Sequence, residues 1–310
     1  MQHYLSETLK SVCNIIYRGG IMLENFRAYM VEEGKSKNTI DNYIRYVNKY
    51  ISWFIDSYGH EPKKLYRSNI IEFKSYLVTS SKLIEKSINF VLSAMIKYNN
   101  FLIDTKVQGD IVISKRDLLK VQNEIASPTD INKNDVERFR QEVLEHEGLR
   151  NYAIVTVLAY GGLRISEALN LKFGDLGIKK TENGNLEIIK TEMKICNSKG
   201  QKTRNVIMNF RIIESINEYL KERKEVEGND YVFVSNKGNK LDRTVLNKMF
   251  NKYSKNITPH SLRHFFCTNC LENGFGVHEV ASLAGHSNIN TTLMYTNPNK
   301  QAMMDKINRL

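Results

Sequence analysis

The sequence predicts a mainly α protein with a small antiparallel β-sheet, in which a helical N-terminal domain precedes a mixed α/β domain. Three observations carry this. Apolar residues recur at helical spacing through 21–105. Periodicity is lost over 106–129, where Gly109, the charged run Lys115-Arg116-Asp117 and Ser127-Pro128 mark a linker. Short β-branched and aliphatic runs cluster between 186 and 209, around a stretch rich in turn formers. A length of 310 residues fits about two domains. A hydrophobic fraction of 41% is enough for packed cores.

In chain order, residues 1–20 form an N-terminal extension with Leu5, Leu9, Val12 and Ile16 at helical spacing, broken by Gly19-Gly20. It reads as a short packed helix or an accessory arm. A helix over 21–33 stops at Gly34, and Ser36 is positioned to cap the next. There Ile40, Tyr43, Ile44, Val47, Tyr50, Ile51 and Phe54 form one stripe. A third helix after Ser68 and a fourth over 81–103 complete the domain. Lys35, Lys37, Arg45, Lys63, Lys64, Arg67, Lys82 and Lys86 flank these helices. Lysine and arginine interleaved with tyrosine suit a grip on nucleic-acid phosphates, although any single lysine reads first as part of a solvated outer face.

The second domain starts near 130. Residues 136–145 and 151–160 read as two helices, the second buried and ended by Gly161-Gly162. Leu186-Glu187-Ile188-Ile189, Met193-Lys194-Ile195-Cys196 and Val206-Ile207-Met208 read as strands, with Lys199 at a hairpin tip between the last two. Helices are expected over 211–226, 243–255, 261–272 and 277–283, and another begins at Thr291. The helix starting at Arg243 is basic and amphipathic; it lies in a DNA groove or covers the core. Met303, Met304, Ile307 and Leu310 make one apolar stripe in the tail.

The formal net charge of +11 favours a polyanionic partner, nucleic acid ahead of an acidic membrane. Four cysteines in this length do not make a disulfide framework, and a reducing compartment is expected. No apolar run approaches the roughly 18 residues of a spanning helix, so a soluble intracellular protein is expected.

Candidate chemistry concentrates over 258–295. Arg263 offers a permanent cation whose donors fit phosphate oxygens, and Arg164 follows a glycine pair in the same way. His260 and His286 offer donors or proton carriers near neutral pH. Tyr295 offers a hydroxyl nucleophile. Together they suggest attack on a phosphodiester. Arg164 alone is equally a partner for Glu167 or Asp175. His264, Cys267 and Cys270 share a helical face, but lack a second ligand pair, so no metal site is expected.

These residues fall into ordered motifs: Gly162-Leu163-Arg164-Ile165-Ser166-Glu167, Pro259-His260-Ser261-Leu262-Arg263-His264, Gly285-His286, and Thr291-Thr292 before Tyr295, nine positions after His286. In this the domain from about 130 resembles the tyrosine recombinase (phage integrase) family, and 21–105 looks like that family's helical core-binding domain. Ser198-Lys199-Gly200-Gln201-Lys202 resembles the hairpin carrying the family's active lysine, pointing to Lys199 with Lys202 as the competitor. Ala284 stands where leucine is usual, and Ile207 where proline is usual. Neither touches the chemistry.

The resemblance implies a catalytic domain over 130–310 and a site-specific DNA recombinase. Tyr295 would form a 3′-phosphotyrosyl link, with Arg164 and Arg263 clamping the phosphate. His260 and His286 would assist, Lys199 would protonate the leaving 5′-oxygen, and Glu167 and Asp175 would brace the arginines. It implies integration, excision or resolution of a mobile element or replicon, without metal, ATP or other cofactor. The partners implied are double-stranded DNA held by Lys35, Lys37, Arg45, Arg243 and Lys202, a homotetramer on two sites, and accessory DNA-bending proteins. A non-cleaving architectural protein of the same fold and a type IB topoisomerase-like enzyme are the alternatives.

Overall fold

A computed structural model describes residues 22–121, 131–183, 185–196, 203–223, 230–286 and 288–293. The extension at 1–20, Lys199, Lys202, Tyr295 and the tail stripe lie outside the described residues. The chain divides into two compact units, Met1–Asn123 and Glu124–Leu310.

The first unit is helical: α1 (22–32), α2 (Lys37–Tyr58), α3 (Arg67–Thr79) and α4 (Glu85–Asp104). Ser36 caps α2 by accepting from the Thr39 N–H, and Gly59 closes it in the left-handed conformation. The α2 stripe turns Ile40, Val47, Tyr50 and Phe54 into a core shared with Phe26, Phe73, Leu92 and Phe101. Aromatic edges meet faces there, as between Tyr50 and Phe73 at 5.1 Å. The chain after α4 is tied back by Asn99, which is fully buried. Its amide accepts from Val112 N–H and donates to the Asp110 carbonyl. The linker therefore begins as ordered backbone, including a 3₁₀ turn (Lys115–Asp117) with a reciprocal cap.

The second unit starts with α5 (Lys133–Gly161). Sequence periodicity predicts two helices here, and the structure has them as the two arms of α5, parted at Gly148, whose φ of 79° and ψ of 179° are non-helical. The half after the kink is buried on nearly every side, with Asn151 and Thr156 among its buried residues, and α5 packs against both α8 (Phe210–Glu222) and α10 (Pro259–Glu272). Two short turns follow, α6 (Ile165–Ala168) and α7 (Phe173–Leu176). Among the described residues there are two antiparallel pairs instead of one three-stranded sheet. Strand β1 (Ile178–Lys180) pairs with β2 (Leu186–Ile188), and β3 (Glu192–Cys196) with β4 (Thr203–Ile207), in register Ile195↔Arg204. The described part of the unit also contains α9 (Arg243–Tyr253), α11 (Val277–Ala284) and α12 (Asn290–Leu293). Among the described residues no helix is long and apolar enough to cross a membrane.

Gly162 ends α5 with φ +61°, and a Cβ there would come within 2.3 Å of the Phe266 ring. Gly34 has a similar φ of +69° with open space around it. Gly34→Ala should therefore cost about 1 kcal/mol, the left-handed strain alone. Gly162→Ala should cost about 2–4 kcal/mol, because the buried ring must also move. Urea unfolding of both variants checks this; equal costs would refute the ring contact.

Candidate active site

Arg164 follows Gly162-Leu163 as the N-cap of α6. That short turn brings Glu167 back beneath it. Glu167 Oε2 accepts from the Arg164 backbone N–H at 2.8 Å, and Oε1 from Arg164 Nη1 at 2.9 Å. The same carboxylate takes a two-pronged bond from Arg204 on β4, Nη1 to Oε1 at 3.0 Å and Nη2 to Oε2 at 2.9 Å. Arg263 Nη1 lies 3.9 Å from Oε2. Three guanidinium groups thus surround one carboxylate and leave positive charge in excess. Burial works to raise the Glu167 carboxyl, but the Arg204 and Arg164 hydrogen bonds outweigh it and hold the group at about 2.

The excess charge is met by backbone. Helix α11 ends with Gly285 in the left-handed conformation, which exposes its final carbonyls. Three successive carbonyls each accept from a different arginine. Leu283 takes Arg204 Nε at 2.9 Å, Ala284 takes Arg263 Nη2 at 2.5 Å, and Gly285 takes Arg164 Nη2 at 3.2 Å. The negative end of the helix suits these cations. Arg263 is also held by the Gly162 carbonyl at 2.6 Å. Its side chain is only 4% exposed, whereas that of Arg164 is 43% exposed. Burial first, and then the Arg164 charge, lower the Arg263 guanidinium to about 10.

The histidines share this field. His260 lies at the start of α10, one turn before His264, and their Nε2 atoms are 2.8 Å apart. Only one of the two can donate across that contact, so the pair resists double protonation. His286 Nδ1 lies 2.8 Å from the hydroxyl of Thr292, a fully buried residue of α12. Burial and the nearby arginines lower His260, and lower His286 to about 4; burial and His260 lower His264 to about 4.

The structure thus brings Arg164, Glu167, Arg263, His260 and His286 into one region of the second unit. Asp175 does something other than expected. Its Oδ2 accepts from the Lys172 backbone N–H at 2.9 Å and caps α7. It is a local cap and not a brace for the arginines. Lys35, Lys37 and Arg45 are exposed in the first unit, with Lys35 3.8 Å from Glu33 and Arg45 bonded to Asn42. Arg243 is exposed at the start of α9. Cys267 and Cys270 pack with Phe266, Val280 and Ala284, and burial raises their thiols to about 11 and about 12. Sequence reasoning missed Arg204. Its only signal was an arginine in a strand beside a basic turn.

The depressed histidines carry a stability signature. An unfolded chain takes up their protons near pH 6.5, whereas the folded chain resists until about pH 4. Their contribution is thus intact above the unfolded value and declines as pH falls through that window. Urea midpoints should drop between about pH 6.5 and about pH 4, and His264→Asn should make the drop shallower. An unchanged slope would contradict the assignment.

The profile of the phage integrase family matches residues 129–302, and that of the phage integrase N-terminal SAM-like domain matches residues 22–108. A Bacillus thuringiensis protein named TnP I resolvase is 47% identical over 290 residues, covering 93% of this chain and 99% of that one. The tyrosine recombinase XerA of Pyrococcus horikoshii is 29% identical and covers 93% of each chain. Among solved structures, the Tn1549 transposon integrase in complex with transposon right end DNA matches with TM-score 0.66 at 21% identity, over 93% of this chain and 98% of that chain. A lambda integrase dimer bound to a core site has the same score at 13% identity, over 91% and 96%. Those two likenesses concern the fold. With the family profile spanning more than half the chain and a near-full-length relative at 47% identity, the chain belongs to the phage integrase family, the tyrosine recombinases.

Proposed function

We propose that this tyrosine recombinase cuts and rejoins DNA at a defined site through a 3′-phosphotyrosyl link to Tyr295. The observation that carries the reading is the pair Arg164 and Arg263, held by α11 carbonyls and Glu167 beside two histidines. Tyr295 Oη attacks the scissile phosphorus, and the bond to the 5′-oxygen breaks. His260 accepts the tyrosyl proton. Lys199, with Lys202 as the competing assignment, protonates the departing oxygen. The arginines bind the non-bridging oxygens and stabilise the added charge of the transition state. His286 donates to the phosphate from Nε2, with the Thr292 hydroxyl donating to Nδ1 and so fixing that tautomer. The tyrosyl link conserves the phosphodiester, so no ATP is needed, and the clustered cations supply the charge that a divalent metal supplies elsewhere.

We infer that the helical unit, corresponding to 21–105, grips duplex DNA through Lys35, Lys37 and Arg45. Residues 106–129 connect it to the catalytic unit over 130–310, in which Arg243 and Lys202 add phosphate contacts. The protein would work in the cytoplasm at the nucleoid, as a tetramer on two sites, with DNA-bending accessory proteins where the site requires them. Likeness to a protein named a resolvase favours resolution over integration or excision.

Labelled fragments of the DNA flanking this protein's gene, incubated with wild type or Tyr295→Phe without metal or ATP, test the reading. Wild type alone should give a covalent shift on a denaturing gel. A shift on native gels only, even with nicked trapping substrates, would favour the non-cleaving alternative. On the fragment identified, Arg164→Ala or Arg263→Ala should slow cleavage by about 10²–10³-fold. A loss under about threefold would remove that arginine from the mechanism.

A further inference from the structure

Arg204 is built into the site yet belongs to none of the motifs. Its side chain is 12% exposed, between the 4% of Arg263 and the 43% of Arg164. Each of its three guanidinium nitrogens already has a protein partner: Nη1 and Nη2 hold the two Glu167 oxygens, and Nε holds the Leu283 carbonyl. This is an arginine facing inward.

The accounting at Glu167 gives that arrangement a purpose. A carboxylate offers about four lone-pair positions. Four donors occupy them: on Oε1, Arg164 Nη1 and Arg204 Nη1; on Oε2, the Arg164 backbone N–H and Arg204 Nη2. Arg204 therefore satisfies half of the carboxylate. With that half filled, Arg164 needs only one side-chain nitrogen on Glu167, and its side chain stays 43% exposed. If Arg204 were absent, a buried carboxylate would be left half satisfied, which is costly. The nearest cations able to fill the gap are Arg164, already in contact, and Arg263 at 3.9 Å. Both are the arginines read as the phosphate clamp.

Gly285 fits the same account. A Cβ on it would lie 2.6 Å from Arg204 Nη1, and its φ of +68° independently favours glycine. The glycine of the Gly285-His286 motif thus leaves room for the Arg204 guanidinium as it reaches Glu167.

We propose that Arg204 is a positioning residue: it saturates the Glu167 carboxylate and so keeps Arg164 and Arg263 available to the scissile phosphate. The proposal rests on the reading of those two arginines as the clamp. It predicts an unusual pattern of coupling. Removing Arg204 turns Glu167 into a trap for the clamp, and removing the Glu167 charge as well should release the trap.

The test uses the full chain and a nicked duplex cut from the fragment that wild type links to covalently. Single-turnover covalent adduct formation and native-gel affinity are measured for Arg204→Ala, Arg204→Lys, Glu167→Gln and the double variant Arg204→Ala with Glu167→Gln. Arg204→Ala should slow adduct formation by about 10²-fold while affinity stays within about threefold of wild type. Arg204→Lys, which keeps the charge but not the fork, should fall between. Glu167→Gln alone should slow the reaction, yet in the Arg204→Ala background it should speed it by about tenfold, a reversal that only coupled residues give. A double variant no faster than Arg204→Ala would overturn the proposal, as would Arg204→Ala at the wild-type rate. If Arg204→Ala does not fold, Arg204→Lys at the wild-type rate would overturn it equally. Absence of an adduct with wild type would instead overturn the recombinase reading beneath it, and the proposal with it.

Discussion

The second unit depends on one buried negative charge. Glu167 is 4% exposed, and a carboxylate at that depth is stable only if cations and N–H groups surround it. The chain satisfies it from two places far apart in sequence: the α6 turn, which contains Arg164, and strand β4, which contains Arg204. The charge then organises the rest. It fixes the stem of Arg164, helps to neutralise Arg263, and ties the β3–β4 pair to the helices. The cations it gathers would repel one another if left alone, and the end of α11 supplies the remaining compensation. The site is thus a balanced cluster of charge whose excess is positive, as binding a phosphodiester requires.

The two units use different means of stability. The helical unit is held by amphipathic stripes and dense aromatic contacts, with Asn99 as the main polar tie in its interior. The second unit has a largely buried helix segment, α5 after Gly148, and α5 packs against α8 and α10. A glycine ends that segment, and the polar cluster begins within two residues of it. Apolar burial therefore sets the place from which Arg164 projects. Arg263 binds the carbonyl of the same glycine, Gly162, so both arginines are referenced to one helix end.

Much of this was legible in the sequence, and for physical reasons. Helices α1 to α4 announce themselves because one face of each is buried and the other wet. The motif residues announce themselves because a short turn confines their chemistry to few positions, as in Gly162-Leu163-Arg164. What escaped was whatever depends on a partner distant in the chain. Arg204 meets Glu167 across 37 positions, and nothing local distinguishes it from a surface arginine. Strand β1 has a single apolar residue, Ile178, and exists because β2 pairs with it. Asp175 misled in the other direction. It looked like a brace for arginines and is a cap three residues into a local turn.

The three carbonyls at the end of α11 belong to consecutive residues, and the next residue along is His286. A rigid peptide segment of four residues therefore anchors three guanidinium groups and positions an imidazole. Tyr295 follows after nine positions. Loop length here is thus under a constraint that most surface connections escape. An added or deleted residue between α11 and Tyr295 changes the length of chain that separates the proposed nucleophile from the arginine anchors, whereas one within α11 rotates its carbonyl anchors by about 100°. Families of this chain should accept insertions readily beyond the strands, and almost none across this short span.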